Sequence, residues 1–145
     1  MEWGLQGPAN CTFCNRHPET NVHLFLDCHY TNIIWAALGR ITHWDTTDAE
    51  IISLRFSENC ENKEVKVILV AFTTHIIWKE RNRVKHNPGT RITNQFGLVR
   101  QIWAKVKGRL NYEQRKPNAP LTRQLRELAQ KFNDFFSSAR TFLPS

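Results

Sequence analysis

Four residues near the start of the chain constrain it more than anything else: Cys11, Cys14, His23 and Cys28, spaced C-x2-C-x8-H-x4-C. Three thiolates and one imidazole are the full complement of a closed tetrahedral zinc site. Because four protein ligands fill the coordination sphere, no position is left for an activated water, so one structural zinc ion is expected and not a catalytic one. Cys11 and Cys14 need a chelating turn, and the polar run from Asn15 to Thr20 supplies the loop before the chain returns. His23 to Cys28 then reads as one short element delivering the last two ligands. His17 competes for the imidazole position, since it lies three residues beyond Cys14. His23 is preferred because its gap to Cys28 places both on one face of a helical turn, about 5–6 Å apart at Cβ. Cys60 stands apart as a free or partly buried thiol, and His29, His43, His75 and His86 lack ligand-like companions.

The zinc ligands sit in a wider pattern. Glu19 and Thr20 lie between the two ligand pairs, Leu24 and Phe25 follow His23, and Ile34 and Trp35 follow Cys28 in a hydrophobic helix. Trp3, Gly4 and Leu5 precede it, and Ile77, Trp78, Lys79, Glu80, Arg81, Asn82 and Arg83 form a second string downstream. Together these strings resemble the zinc-binding domain that follows the reverse transcriptase in plant LINE-type (non-LTR) retrotransposons, over residues 3 to 87. The resemblance implies a module that helps engage template RNA or target DNA, resident in the nucleus or the cytoplasm. No Tyr/Phe-x-Asp-Asp polymerase signature is present, and no acidic set suited to Mg2+ in a nuclease. With no nucleophile and base pair and no phosphate loop either, the expectation is a non-enzyme without catalytic residues, the remainder of a retroelement protein or a gene product derived from one.

Charge points the same way. Residues 1–64 hold four Arg and Lys against nine Asp and Glu, whereas residues 65–145 hold sixteen against four, so the overall +7 belongs to the second part. Such asymmetry suits a polyanionic partner contacted by that part, RNA or DNA through its phosphates. The candidate contacts are Lys79, Arg81, Arg83, Lys85 and Arg91, continued by Arg100, Lys105, Lys107 and Arg109. Phe13 in the zinc loop could stack on an unpaired base or plug the small core of the zinc module. Trp35, Trp78 and Trp103 fall on predicted apolar faces and read as core. No apolar run approaches the roughly 18–20 residues that span a bilayer, and the first residues are unlike a secretion signal, so neither a membrane nor a secreted location is expected.

With 145 residues and 41% hydrophobic content, one modest core is expected. The fold class is mostly α: a small CCHC zinc module followed by a helical bundle with a C-terminal helical hairpin. The expected organisation is a zinc module with a docked helix over 1–40, a helical region with basic helix ends over 41–110, a Pro-containing linker over 111–120 and an amphipathic helix over 121–145. Ile34, Trp35 and Leu38 predict a first helix stopped by Gly39. Thr46, Thr47 and Asp48 offer N-cap chemistry for a second, through Ile51, Ile52, Leu54 and Phe56. Val65, Ile68, Leu69, Phe72, Ile76 and Lys79 predict a longer third, stopped by Asn87, Pro88 and Gly89; its β-branched run also suits a strand, but its length argues for helix. Ile92, Phe96, Val99, Trp103, Val106 and Leu110 repeat at steps of four and three, and so do Leu121, Leu125, Leu128, Phe132, Phe135 and Ala139. These two seams predict an antiparallel hairpin. The alternative is a protein-interaction or oligomerisation module in which Leu121, Leu125, Leu128, Phe132 and Phe135 meet a partner or a second copy.

Overall fold

The fifth helix folds back along the fourth and both lie on the first and third, so the main core sits between four helices. The computed structural model describes residues 9–45, 47–53, 56 and 62–142, and the features expected at Trp3, Gly4, Leu5, Thr46, Leu54, Cys60 and the side chain of Ala139 lie outside them. Helix α1 spans His29–Thr42, α2 Asp48–Ser53, α3 Lys63–His86, α4 Gln95–Glu113 and α5 Pro120–Phe142. Among the described residues no strand forms, and the zinc loop carries a single antiparallel bridge between Asn10 and Pro18.

Helix α1 runs through Gly39 and stops four residues later than expected, at His43 in the left-handed conformation (φ 60), whose N–H bonds the Gly39 carbonyl at 2.8 Å. A glycine inside a helix costs about 1 kcal/mol. The extra turn offsets it by burying Ile41 and Thr42, the latter donating its hydroxyl to the Leu38 carbonyl at 2.9 Å. Helix α2 opens with a capping box: Glu50 N–H donates to Thr47 Oγ1 at 3.2 Å and Thr47 N–H to Glu50 Oε2 at 2.9 Å. Its described residues run to Ser53; Phe56, expected in the helix, is not helical but is buried against Leu26, Ile51 and Val70.

The β-branched start of α3 is helical, with Val65, Leu69, Ile76 and Ile77 in the main core. Asn94 caps α4 by accepting from Phe96 N–H at 2.9 Å, so the helix begins after Ile92 and not at it. It continues to Glu113, shortening the expected linker to the turn before Pro120, where the Thr122 hydroxyl donates to the Lys116 carbonyl at 2.7 Å. Pro120 is the first helical residue of α5, the position where its missing N–H costs nothing.

The hairpin is antiparallel: ring centroids lie 6.3 Å apart for Phe96 and Phe135 and 6.5 Å for Trp103 and Phe132. Leu125, Leu128 and Phe132 are buried within the chain, with Leu121 and Phe135 half-buried beside them. This face, considered above for self-association, therefore packs against the chain's own helices. The α4 seam is broader than the sequence predicts. Leu98 and Ile102 are buried with Val99 and Val106, whereas Phe96 is exposed, because α4 meets α1, α3 and α5 at once and a two-position seam cannot face three partners. No described helix is long and apolar enough to cross a membrane.

Candidate metal centre and its cationic surroundings

The chelating loop is closed by backbone bonds before any side chain acts. Cys11 N–H donates to the His17 carbonyl at 2.7 Å and Asn15 N–H to the Cys11 carbonyl at 2.8 Å, and Asn15 takes the left-handed conformation (φ 56) that turns the chain. The last two ligands come from a π-helical turn, His23–Asp27, in which Cys28 N–H donates to the His23 carbonyl at 2.7 Å. In an α-helix residues five apart lie about 140° around the axis. The wider π turn, with its i to i+5 bond, stacks His23 over Cys28 instead, so the one-face relation expected of this pair depends on a turn type the spacing alone does not specify.

Ligand atoms of Cys11, Cys14, His23 and Cys28 all lie within 4.8 Å of one another. The Sγ atoms of Cys11 and Cys28 are 3.8 Å apart, and Cys14 Sγ lies 3.3 Å from His23 Nε2. Two sulfurs each about 2.3 Å from a tetrahedral zinc would be about 3.8 Å apart. His17 is exposed and outside the cluster, its ring 5.1 Å from that of His23. Burial pushes the Cys11 thiol up to about 12, with the neighbouring Cys28 adding to the rise, and burial likewise raises Cys28. At Cys14 burial also acts upward, but the Arg16 N–H and the His23 ring outweigh it and bring the thiol down to about 6. Two buried thiols that resist ionisation beside one that favours it become a stable thiolate set when a divalent cation supplies the compensating charge.

The loop is anchored to α3 by a buried ion pair. Arg81 Nη2 donates to Glu19 Oε2 at 2.8 Å and its Nε to Glu19 Oε1 at 3.2 Å, with side-chain exposures of 7% and 8%. Glu19 Oε1 also accepts from the Thr12 hydroxyl at 3.0 Å, inside the chelating loop. Burial acts to raise the Glu19 carboxyl, but the hydrogen bonds and charge of the equally buried Arg81 guanidinium, with the Thr12 bond, outweigh it and lower it. Arg81, expected among the phosphate contacts, is therefore turned inward. Glu80 is buried too: it holds Arg83 through both carboxylate oxygens at 3.0 and 2.8 Å and accepts from Thr93 N–H at 2.7 Å. Arg83 also donates to the Arg91 carbonyl at 2.9 Å. The Tyr30 hydroxyl donates to the Thr93 carbonyl, and Trp35 Nε1 to the Phe25 carbonyl at 2.5 Å.

The remaining cations divide. Lys79, Lys85, Arg91, Arg100, Lys105 and Lys107 are exposed, whereas Arg109 bonds Glu113 at 3.0 Å. Arg100 lies 4.2 Å from the Phe136 ring centroid and Lys107 4.1 Å from that of Trp103, so aromatic faces hold both heads in place. Phe13 is half-buried and stacks on Tyr30, centroids 4.4 Å apart. Trp35 and Trp103 are half-buried, but Trp78, expected in the core, is 40% exposed because the buried stripe of α3 continues through Glu80 and Arg81. Neither ion pair, the buried Glu19–Arg81 nor the half-exposed Glu80–Arg83, is visible in the sequence alone. Both residues of the first belong to the strings singled out above, yet they are 62 positions apart and nothing local pairs them.

No curated protein and no solved structure matches this chain. Residues 1–35 match the family model described as zinc-binding in reverse transcriptase, a small metal-binding module and not a catalytic domain. That match and the four-residue cluster fit one structural zinc ion held by Cys11, Cys14, His23 and Cys28.

Proposed function

We propose that the chain is a zinc-stapled, non-enzymatic nucleic-acid-binding module, akin to the segment that helps LINE-type reverse transcriptases engage template RNA or target DNA. The observation that carries this reading is the set of exposed cations on α4, Arg100 and Lys107 on one side and Lys105 about 140–160° round the helix from them, with no Asp or Glu in the sequence between Glu80 and Glu113. Lys79, Lys85 and Arg91 extend the same sign of charge to the end of α3 and the following loop. Point charges on long side chains with no rigid base-reading element favour phosphate binding without sequence readout. The zinc centre acts at a distance from that chemistry: three thiolates leave it net negative, so it serves as a staple and not as the electrostatic attractor.

Fluorescence anisotropy with labelled RNA and DNA across a salt series tests the proposal. Five phosphate contacts give a slope of log K against log salt of about −4.5 on duplex DNA and about −3.5 on a single strand. Absence of binding near 50 mM salt, or a slope near zero, refutes it.

A further inference from the structure

Away from the zinc, α3 and α4 enclose a shallow trough of ≈ 600 Å³ that opens to solvent. Its floor is carbon: Phe72 from α3, with Ala104 and Gly108 one turn apart on α4. A methyl group built on Gly108 meets nothing within 4 Å, so the space above it is free. Tyr112 stands at one end, 61% exposed, with the Arg115 guanidinium 4.6 Å from its ring centroid. Lys105 and Arg109 lie along the trough, and Gln101 supplies an amide able to donate and accept. On α3, Lys79 lies two turns beyond Phe72 on the same helical face.

A carbon floor, an exposed ring and flanking cations match the two halves of a nucleotide, which is flat and apolar at the base and anionic at the phosphate. A duplex hides its bases and would use only the cations. An unpaired strand uses both. We infer that the trough between α3 and α4 is a base-binding site for single-stranded nucleic acid, in which Tyr112 stacks on a base while Lys105 takes the adjoining phosphate. The inference rests on the polyanion-binding reading above and adds to it a second kind of contact, one that does not depend on charge.

The test compares a deoxythymidylate strand of about twelve nucleotides with an abasic strand of equal length, which keeps the phosphates and lacks the bases. Stacking of one base predicts that the native protein prefers the base-carrying strand by about 5- to 150-fold. Tyr112→Ala should abolish that preference and leave abasic binding unchanged, and Tyr112→Phe should retain it. Gly108→Leu, which fills the trough at an open position, should act like Tyr112→Ala. Equal affinity of the native protein for both strands overturns the base site and leaves phosphate binding standing, whereas binding to neither overturns both. If the trough instead seats a second copy, Tyr112→Ala lowers the sedimenting mass and leaves strand preference intact, which also overturns the inference.

Discussion

Replacing Arg81 by Met removes one charge of a buried pair and leaves the Glu19 carboxylate inside the protein without its partner. Losing one member of such a pair costs about 3–5 kcal/mol, far above the 0–1 kcal/mol typical of exposed pairs. The larger range applies because both side chains are more than nine-tenths buried and the contact is bidentate. With an m-value of about 2 kcal/mol/M, a loss of about 4 kcal/mol moves the urea midpoint of the zinc-loaded protein down by about 2 M. Glu19→Gln should cost less, since the amide still accepts one bond from Arg81 and one from Thr12. Combining the two changes should restore part of the loss, giving a coupling energy above about 1 kcal/mol. The pair is also pH-dependent. The folded carboxyl of Glu19 is lowered, so its contribution is fully present above the unfolded pKa and is lost as pH falls through the folded value. The stability gap between the native protein and Glu19→Gln should therefore be constant near neutrality and close in acid. A midpoint shift under about 0.3 M for Arg81→Met, or purely additive effects in the double variant, refutes the assignment of this pair as the anchor of the zinc loop.

Metal analysis should return one zinc per chain, abolished by Cys11→Ser and by His23→Ala but retained in His17→Ala. Zinc affinity should rise with pH, because the Cys11 and Cys28 thiols, raised by burial, must lose protons to ligate. Chelation should reduce the far-ultraviolet helical signal, and a protein that stays fully structured without metal contradicts the staple. Thr47→Ala removes one half of the α2 capping box and should cost about 0.5–2 kcal/mol in denaturant unfolding, with Thr47→Ser close to native. No change on Thr47→Ala would mean that α2 does not fold with the rest.

The zinc ligands were legible in the sequence because metal chemistry restricts residue type and spacing at once, within 18 residues. The π turn was not, since His23 to Cys28 can be wound more than one way and only closure on the metal selects the wider turn. Helix α3 could be read from its period, yet its last buried turns could not. A stripe ending in Glu80 and Arg81 looks like a helix surfacing into solvent, and the exposed Trp78 looks like core, until Arg81 is matched to Glu19 in the zinc loop and Glu80 to Arg83 and the Thr93 N–H. Gly39 misled for a related reason: its local cost is outweighed by burial of Ile41 and Thr42, which depends on α1 packing against α4 and α5. Where a position answers to tertiary packing, propensity is the weaker term.

The two sequence strings that stood out separately are physically one structure. From the chelating loop, Thr12 holds Glu19 and Glu19 holds Arg81 in α3. From the residue two places after the last ligand, Tyr30 holds Thr93, and Thr93 N–H binds Glu80 beside Arg81. Thr93 adjoins Asn94, the cap that starts α4. Zinc therefore fixes the end of α3 and the beginning of α4 through two short routes of hydrogen bonds and ion pairs. A bidentate carboxylate and guanidinium pair fits in one geometry, whereas apolar side chains of equal volume could slide along the helix. On this account the buried charges matter less for net stability than for register: they set where α4 begins, and hence where Arg100 and Lys107 emerge on one side of it and Lys105 on the other.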